Sequence, residues 1–191
     1  MSGRPPGRIR IVAGSRRGRR LRVASGAAVR PTAEKVREAV FDALGPVGGL
    51  SVLDLFAGTG AMGLEALSRG ASTCVFVERD PLVADVLRDN VLSLEYGDVC
   101  RVMVTPYERA VQTLAARGPG FDLLFVDPPY RMLAEVENRL MPLLPSLLVD
   151  DGVAVIEGER SFCVEPGLPV VFDRSYGDTR VTMIRMKRSI P

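Results

Sequence analysis

From Leu50 onward the chain repeats one pattern, a short apolar run followed by an amphipathic stretch, and this pattern restricts its fold more than any other feature. Runs such as Phe121-Asp122-Leu123-Leu124-Phe125-Val126 are too short for helices and nearly continuous in apolar character. A strand of that kind must be covered on both faces, which requires helices on either side of a mostly parallel sheet. The expected fold class is therefore α/β. Strands are predicted near residues 52–57, 73–78, 101–105, 121–126, 153–158, 169–173 and 180–187. Helices are predicted near 61–69, 81–95, 107–117 and 131–148. Asp80-Pro81 supplies a cap followed by proline at the first helical position. Val83, Val86, Leu87, Val91 and Leu94 then form a buried stripe, on which Asn90 reads as a packed, satisfied amide. The last two strands have no helix between them, so they pair antiparallel at one edge.

The segment before this pattern is different in kind. Arg8-Ile9-Arg10-Ile11 and Arg20-Leu21-Arg22-Val23 alternate with period two around a turn region at 14–19, which predicts a β-hairpin. Ile9, Ile11, Leu21 and Val23 share one face, and Arg8, Arg10, Arg20 and Arg22 share the other. Thr32 reads as the cap of a helix carrying Val36, Val40, Phe41 and Leu44, which Gly45-Pro46 ends. The expected organisation is a basic hairpin extension over 1–30 and a main domain over 31–191.

Charge separates these two parts. Residues 1–37 hold 11 basic side chains against one acid, Glu34, while the whole chain nets only +2, so the remainder is acidic. Four arginines on one ribbon face repel one another unless an anion screens them. A basic arm on an acidic body therefore suggests a polyanionic partner, nucleic acid above all. Arginine's planar fork suits bidentate phosphate contacts, and Arg16, Arg17 and Arg19 in the turn join Arg8, Arg10, Arg20 and Arg22 as candidate nucleic-acid contacts.

Composition excludes several chemistries. The chain has no histidine, so Ser-His-Asp and Cys-His catalytic units and histidine-ligated metals are impossible. Cys74, Cys100 and Cys163 are widely spaced, without a CxxC pair, which fits reduced thiols rather than a disulfide frame or zinc site. The N-terminal stretch lacks a signal-peptide apolar core, and no apolar run approaches the ~18 residues a bilayer span needs. A cytoplasmic protein without metal or membrane attachment, acting as a monomer, is expected.

The chemistry-bearing residues fall at two strand ends. Val52 to Gly63 reads as a strand, a tight glycine turn and a helix start; Gly58, Gly60 and Gly63 have G-x-G-x-x-G spacing, and Glu78 follows Gly58 by 20 residues. This spacing alone leaves two cofactor classes open. Asp54, just before the glycines, is poorly placed beside a pyrophosphate and well placed for a cationic, phosphate-free cofactor such as S-adenosylmethionine. Glu78 at the end of the next strand suits ribose hydroxyls.

At the second strand end, the run Phe121–Val126 leads directly into Asp127-Pro128-Pro129-Tyr130. Two prolines stiffen this corner. The Asp127 carboxylate and the Pro128 carbonyl can each accept one N–H of an exocyclic amine, which localises the nitrogen lone pair toward a methyl donor. Tyr130 offers a ring on which a splayed-out base stacks. The nitrogen becomes acidic on transfer, so the missing histidine is no obstacle. The tetrapeptide fits amino-group methylation and leaves adenine N6, cytosine N4 and guanine N2 open.

Asp-Leu-Phe-Ala-Gly-Thr-Gly-Ala-Met-Gly-Leu-Glu-Ala (54–66) with Asp127-Pro128-Pro129-Tyr130 resembles the S-adenosylmethionine-dependent amino-methyltransferases. Three further segments sharpen the resemblance: Arg30-Pro31-Thr32 with Val36-Arg37-Glu38 and Phe41, the arm Gly14 to Leu21, and Tyr176 to Thr182. Together they resemble the RsmD family of small-subunit ribosomal RNA guanine-N2 methyltransferases over roughly residues 8–187. The resemblance implies a Rossmann-like class I methyltransferase sheet of seven strands with an N-terminal hairpin. It implies methylation of one guanine of 16S rRNA on a partly assembled 30S particle. It places the cofactor at Asp54, Gly58, Thr59, Gly60, Glu78 and Arg79, and the guanine at Asp127, Pro128, Pro129 and Tyr130. The chain departs from related methyltransferases at Val104-Thr105-Pro106-Tyr107-Glu108-Arg109, where an Asp or Asn usually meets the adenine amine. The competing readings are a DNA adenine methyltransferase, a dinucleotide oxidoreductase and a non-catalytic rRNA-binding assembly factor.

Overall fold

The computed structural model describes residues 9–24, 33–118, 120–163 and 169–187, so the expectations for Arg8, Arg30 and Thr32 lie outside it. A two-stranded ribbon of β1 (Ile9–Arg10) and β2 (Arg20–Leu21) precedes α1 (Ala33–Leu44). Next come β3 (Ser51–Asp54), α2 (Ala61–Ser68), β4 (Thr73–Glu78), α3 (Pro81–Ser93) and β5 (Cys100–Val104). They are followed by α4 (Tyr107–Ala115), β6 (Phe121–Val126), α5 (Leu133–Leu140) and α6 (Leu144–Leu147). The chain finishes with β7 (Leu148–Glu159), β8 (Val170–Tyr176) and β9 (Thr179–Arg185).

Seven of these strands form one sheet in the order β5-β4-β3-β6-β7-β9-β8. β3 lies between β4 and β6 and is parallel to both, with Asp54 opposite Phe76 on one side and Phe125 on the other. The final strands pair antiparallel, as their missing crossover helix requires. Period two sends alternate residues of the central strands to opposite faces. Val52, Leu123 and Phe125 join a core with α1, α2 and α3, whereas Leu53, Leu124 and Val126 join one with α4, α5 and α6. This two-sided burial is why the strands read as continuous apolar runs.

Two expectations at 131–153 need correction. The predicted single helix over 131–148 is broken into α5, a 3-10 turn at Met141–Leu143 and α6. Pro142 and Pro145 cause the breaks, because neither has an N–H for the preceding turn and each ring crowds it. β7 starts at Leu148 rather than 153: Leu148 pairs with Phe121, and a register shift with Asp151 at φ 61° precedes the regular ladder. A bulge of this kind breaks the period that sequence patterning reads. β3 also stops at Asp54, since the chain turns there, although Leu55 N–H still donates to the Phe125 carbonyl at 3.1 Å.

The basic ribbon is packed onto the body. Ile11 and Leu21 are buried in the same core as Val36, Val40 and Phe41. Glu65, fully buried on α2, accepts the Val12 and Ala13 N–H groups at 2.7 and 2.9 Å and the Arg69 Nε at 2.8 Å. Buried Arg37 lies 3.6 Å from the same carboxylate and donates to the Arg10 carbonyl at 2.7 Å. Its burial lowers its pKa, and Glu65 opposes that shift. Gly14 is confined by φ of +83° and by the Ser68 carbonyl oxygen, only 1.7 Å from where a Cβ would stand.

The expected screening of the arm arginines is partly intramolecular, which revises the repulsion reading. Arg10 pairs with Glu34 at 2.8 Å, Arg16 with Glu95 at 2.6 Å and Arg22 with Asp89 at 2.7 Å. Arg16 Nε and Arg19 Nη2 also donate to the Leu94 and Ser93 carbonyls at the end of α3, at 2.9 and 2.7 Å. Cations are favoured at a helix C-terminus, where carbonyls lack intrahelical partners. Arg17 and Arg20 are exposed.

Replacing Glu65 removes a buried charge while leaving two arginines and two amides behind. Glu65→Ala is expected to cost about 3–5 kcal/mol of unfolding free energy in urea melts. Trypsin should cut the arm faster in the same variant, whereas an exposed-pair change such as Glu34→Ala should cost no more than about 1 kcal/mol.

Candidate active site

The carboxyl ends of β3, β4, β5 and β6 open onto one rim, where ligands of parallel sheets bind. The turn after β3 is held by its own backbone. Gly58 and Gly60 have φ of +52° and +83°, conformations that L side chains rarely adopt, and Gly60 N–H donates to the Ala57 carbonyl at 2.7 Å. Gly63 brings α2 close to the sheet: a Cβ there would sit 2.3 Å from the Phe76 ring and 2.6 Å from Cys74 Sγ. This is the close helix–strand packing for which the third glycine of such a spacing is needed.

Both turn-flanking carboxylates are tied to that backbone. Asp54 is 4% exposed and accepts the Gly63 N–H at 3.1 Å. Burial pushes its pKa up to about 7, aided by the nearby Asp127 and Glu78 charges and opposed by the Gly63 hydrogen bond. Glu78 accepts the Gly58 N–H at 3.0 Å and the Asp80 N–H at 2.8 Å, so two amides aim its carboxylate. Asp80 in turn caps α3 through the Leu82 N–H at 2.9 Å.

A cavity of about 610 Å³ occupies the rim. Glu78, Arg79, Asp127, Pro128, Pro129 and Tyr130 line it, which brings six sequence-selected residues together. Pro128 is buried and Tyr130 is exposed. The Tyr130–Met132 3-10 turn, closed by Met132 N–H to the Pro129 carbonyl at 2.7 Å, sets the outer wall. Asp54, Gly58, Thr59 and Gly60 are not among the lining residues, and Asp54 is tied instead to the Gly63 N–H near the start of α2. The arm arginines do not line this cavity either.

Sequence reasoning did not assign Phe56, Thr105, Pro106, Tyr107, Glu108 or Met132, all of which line it. The Phe56 and Tyr107 rings stack at 5.1 Å between centroids, tilted by 41°, and form an apolar wall. One available signal was the position of Thr105-Pro106, at the carboxyl end of a parallel strand and just before a helix. Phe56 and Met132 carried no signal of their own.

The donor set fits a cationic, hydroxyl-bearing, phosphate-free group. Three carboxylates, Glu78, Glu108 and Asp127, line the cavity against one cation, Arg79, and Asp127 and Glu78 add to the upward pKa shift that burial gives Asp54. A pyrophosphate would meet the opposite field.

The profile of the family described as Conserved hypothetical protein 95 matches residues 9–185. Ribosomal RNA small subunit methyltransferase D of Escherichia coli K12 is 40% identical over 168 residues, covering 86% of this chain and 80% of that protein. The chain belongs to the RsmD family. The Haemophilus influenzae protein of the same description is 37% identical over 137 residues, covering 71% of each. The solved yhhF protein of Escherichia coli superimposes with a TM-score of 0.81 at 33% identity, over 96% of this chain and 100% of its own. An RNA methyltransferase from Salinibacter ruber, solved with S-adenosyl-L-homocysteine, shares the fold with a TM-score of 0.63 at 15% identity. It covers 85% of this chain and 97% of its own. The sheet is the Rossmann-like methyltransferase sheet, and the cofactor is S-adenosylmethionine.

The Asp54 environment has a pH signature. Its folded-state pKa of about 7 exceeds the ordinary 3.8, so the native state holds an extra proton between these values. Stability from this group is present below about pH 4 and falls as pH rises toward 7. Asp54→Asn keeps an acceptor for Gly63 and removes the charge. Without cofactor, its stability loss between pH 5 and 8 should be smaller than the wild type's by on the order of a few kcal/mol.

Proposed function

We propose that this chain transfers a methyl group from S-adenosylmethionine to the exocyclic N2 of one guanine in 16S rRNA, within a partly assembled 30S particle, acting as a monomer. The observation that carries this reading is the shared cavity. Asp127-Pro128-Pro129-Tyr130 and Glu78 line the same space. Relatives described as ribosomal RNA small subunit methyltransferase D support ribosomal RNA as the substrate class.

The residues divide the work as follows. When bound, S-adenosylmethionine supplies an electrophilic methyl on a sulfonium. Glu78, pre-aimed by the Gly58 and Asp80 amides, accepts from ribose hydroxyls. Asp54 accepts the Gly63 N–H near the start of α2 and so ties the segment after the glycine turn to the sheet. Phe56 and Tyr107 provide an apolar surface for the flat purine end. The Asp127 carboxylate and Pro128 carbonyl accept the two N–H bonds of guanine N2, so its lone pair points toward the cofactor side. Tyr130 stacks the extruded base, worth about 1–3 kcal/mol. With the methyl that the cofactor would supply, guanine N2 would become an acidic ammonium, and Asp127 or water would take its proton.

The arm reads as the RNA contact. Arg17 and Arg20 are exposed and suit phosphates, whereas Arg10, Arg16, Arg19 and Arg22 also hold the arm to the body.

Asp127→Ala is expected to abolish methyl transfer and retain cofactor binding. Incubation with labelled cofactor and undermodified 30S particles, followed by nucleoside mapping, should yield labelled N2-methylguanosine from the wild type only. Label on adenine or cytosine would overturn the target assignment. Neutralising Arg17 and Arg20 should weaken RNA binding and flatten its log–log salt slope by roughly 0.7 per lost phosphate contact.

A further inference from the structure

Asn90 connects two parts of the molecule that the proposed function treats separately. It is 1% exposed, on the inner face of α3. Its Oδ1 accepts the Arg22 N–H at 2.8 Å, and its Nδ2 donates to the Arg22 carbonyl at 3.0 Å. The second Nδ2 hydrogen reaches the Thr59 carbonyl, also at 3.0 Å. Both amide N–H groups are thus used, one on the arm and one on the glycine turn. The turn already rests on the same helix, because a Cβ on Gly60 would stand 2.4 Å from Leu87 Cδ1.

We propose that Asn90 is a positioning residue that couples docking of the arginine arm to the shape of the cofactor turn. An Asn side chain is symmetric in shape and asymmetric in chemistry, so something must decide which end is the donor. Here the Arg22 backbone decides. Its N–H demands the oxygen and its carbonyl demands the nitrogen, as a neighbouring strand would. That choice leaves one N–H aimed at Thr59. With the arm lifted away, the amide loses both orienting partners and the Thr59 carbonyl loses its fixed donor.

The consequence is reciprocal. Whatever steadies the turn steadies the arm, by the same factor in each direction. A cofactor held at the turn strengthens arm docking, and an RNA bound across the docked arm strengthens cofactor binding. The RNA half of this statement rests on the arm reading proposed above. The cofactor half rests on the expectation that the turn at Gly58, Thr59 and Gly60 holds the cofactor.

The test is amide hydrogen exchange across residues 20–24 with and without S-adenosylhomocysteine, using β4 amides as the reference. In the wild type, the ligand should slow Arg22 exchange. Asn90→Asp keeps an acceptor for the Arg22 N–H but turns a donor into an acceptor facing two carbonyls, and Asn90→Ala removes the amide. In both variants the ligand should still slow β4 exchange and no longer slow Arg22. Cofactor affinity should fall about five- to tenfold, at the lower end of usual coupling factors. No ligand effect at Arg22 in the wild type overturns the proposal, whatever the variants do. An equal ligand effect in wild type and variants overturns it too. Affinity for an rRNA fragment should rise with S-adenosylhomocysteine in the wild type only. If exchange is coupled while RNA affinity ignores both the ligand and the Arg17 and Arg20 substitutions, the coupling stands and the RNA reading of the arm falls.

Discussion

The parallel pairing of β3 with both β4 and β6 is the constraint on which the rest depends. It puts Asp54 level with Phe76 and Phe125, and it ends three strands at one rim. Asp54, Glu78 and Asp127 are far apart in sequence and close only because those ladders are in register. Negative charge gathered at a partly buried rim is costly unless backbone amides or a cation relieve it. Amides from Gly58, Gly63 and Asp80 relieve part of the cost. Burial gives Asp54 most of its raised pKa, and the Asp127 and Glu78 charges add to it, so a positive group in the crevice would be favoured.

A second buried charge organises the opposite side. Glu65 lies within the motif segment 54–66, yet its carboxylate serves the arm, collecting two arm amides and facing Arg37 and Arg69. Removing such a group exposes the cost of burying its partners, which is why one side chain can govern whether a ribbon of two-residue strands stays in place. The ribbon has too few ladder bonds to stand alone. It persists because Ile11 and Leu21 enter the main core and because Arg16 and Arg19 cap the end of α3.

Much of this was legible in the sequence, and the misses have specific causes. The strand–helix alternation, the antiparallel edge and the hairpin followed from periodicity, since each depends on residues near one another in the chain. Asn90 read correctly as a satisfied amide, but its partners, Arg22 and Thr59, lie 68 and 31 residues away. The segment 131–153 was misread because an apolar run interrupted by prolines and a bulge has neither period. The screening of the arm arginines was misread for the same reason as Asn90's partners: Asp89 and Glu95 are invisible to a local count of charge.

Sequence by itself determined the kinds of chemistry available. Without histidine the chain depends on carboxylates, carbonyls and ring faces, and its glycine spacing and Asp-Pro-Pro-Tyr corner name where those groups would stand. Local chemistry suffices for that, because turn geometry and strand ends are written in short stretches. Tertiary structure decided which groups share a space. It placed Phe56 and Tyr107 on the cavity wall, tied Asp54 to the Gly63 amide, and spent several arm arginines on α3. Those outcomes depend on distances between remote segments, and only the packed sheet sets them.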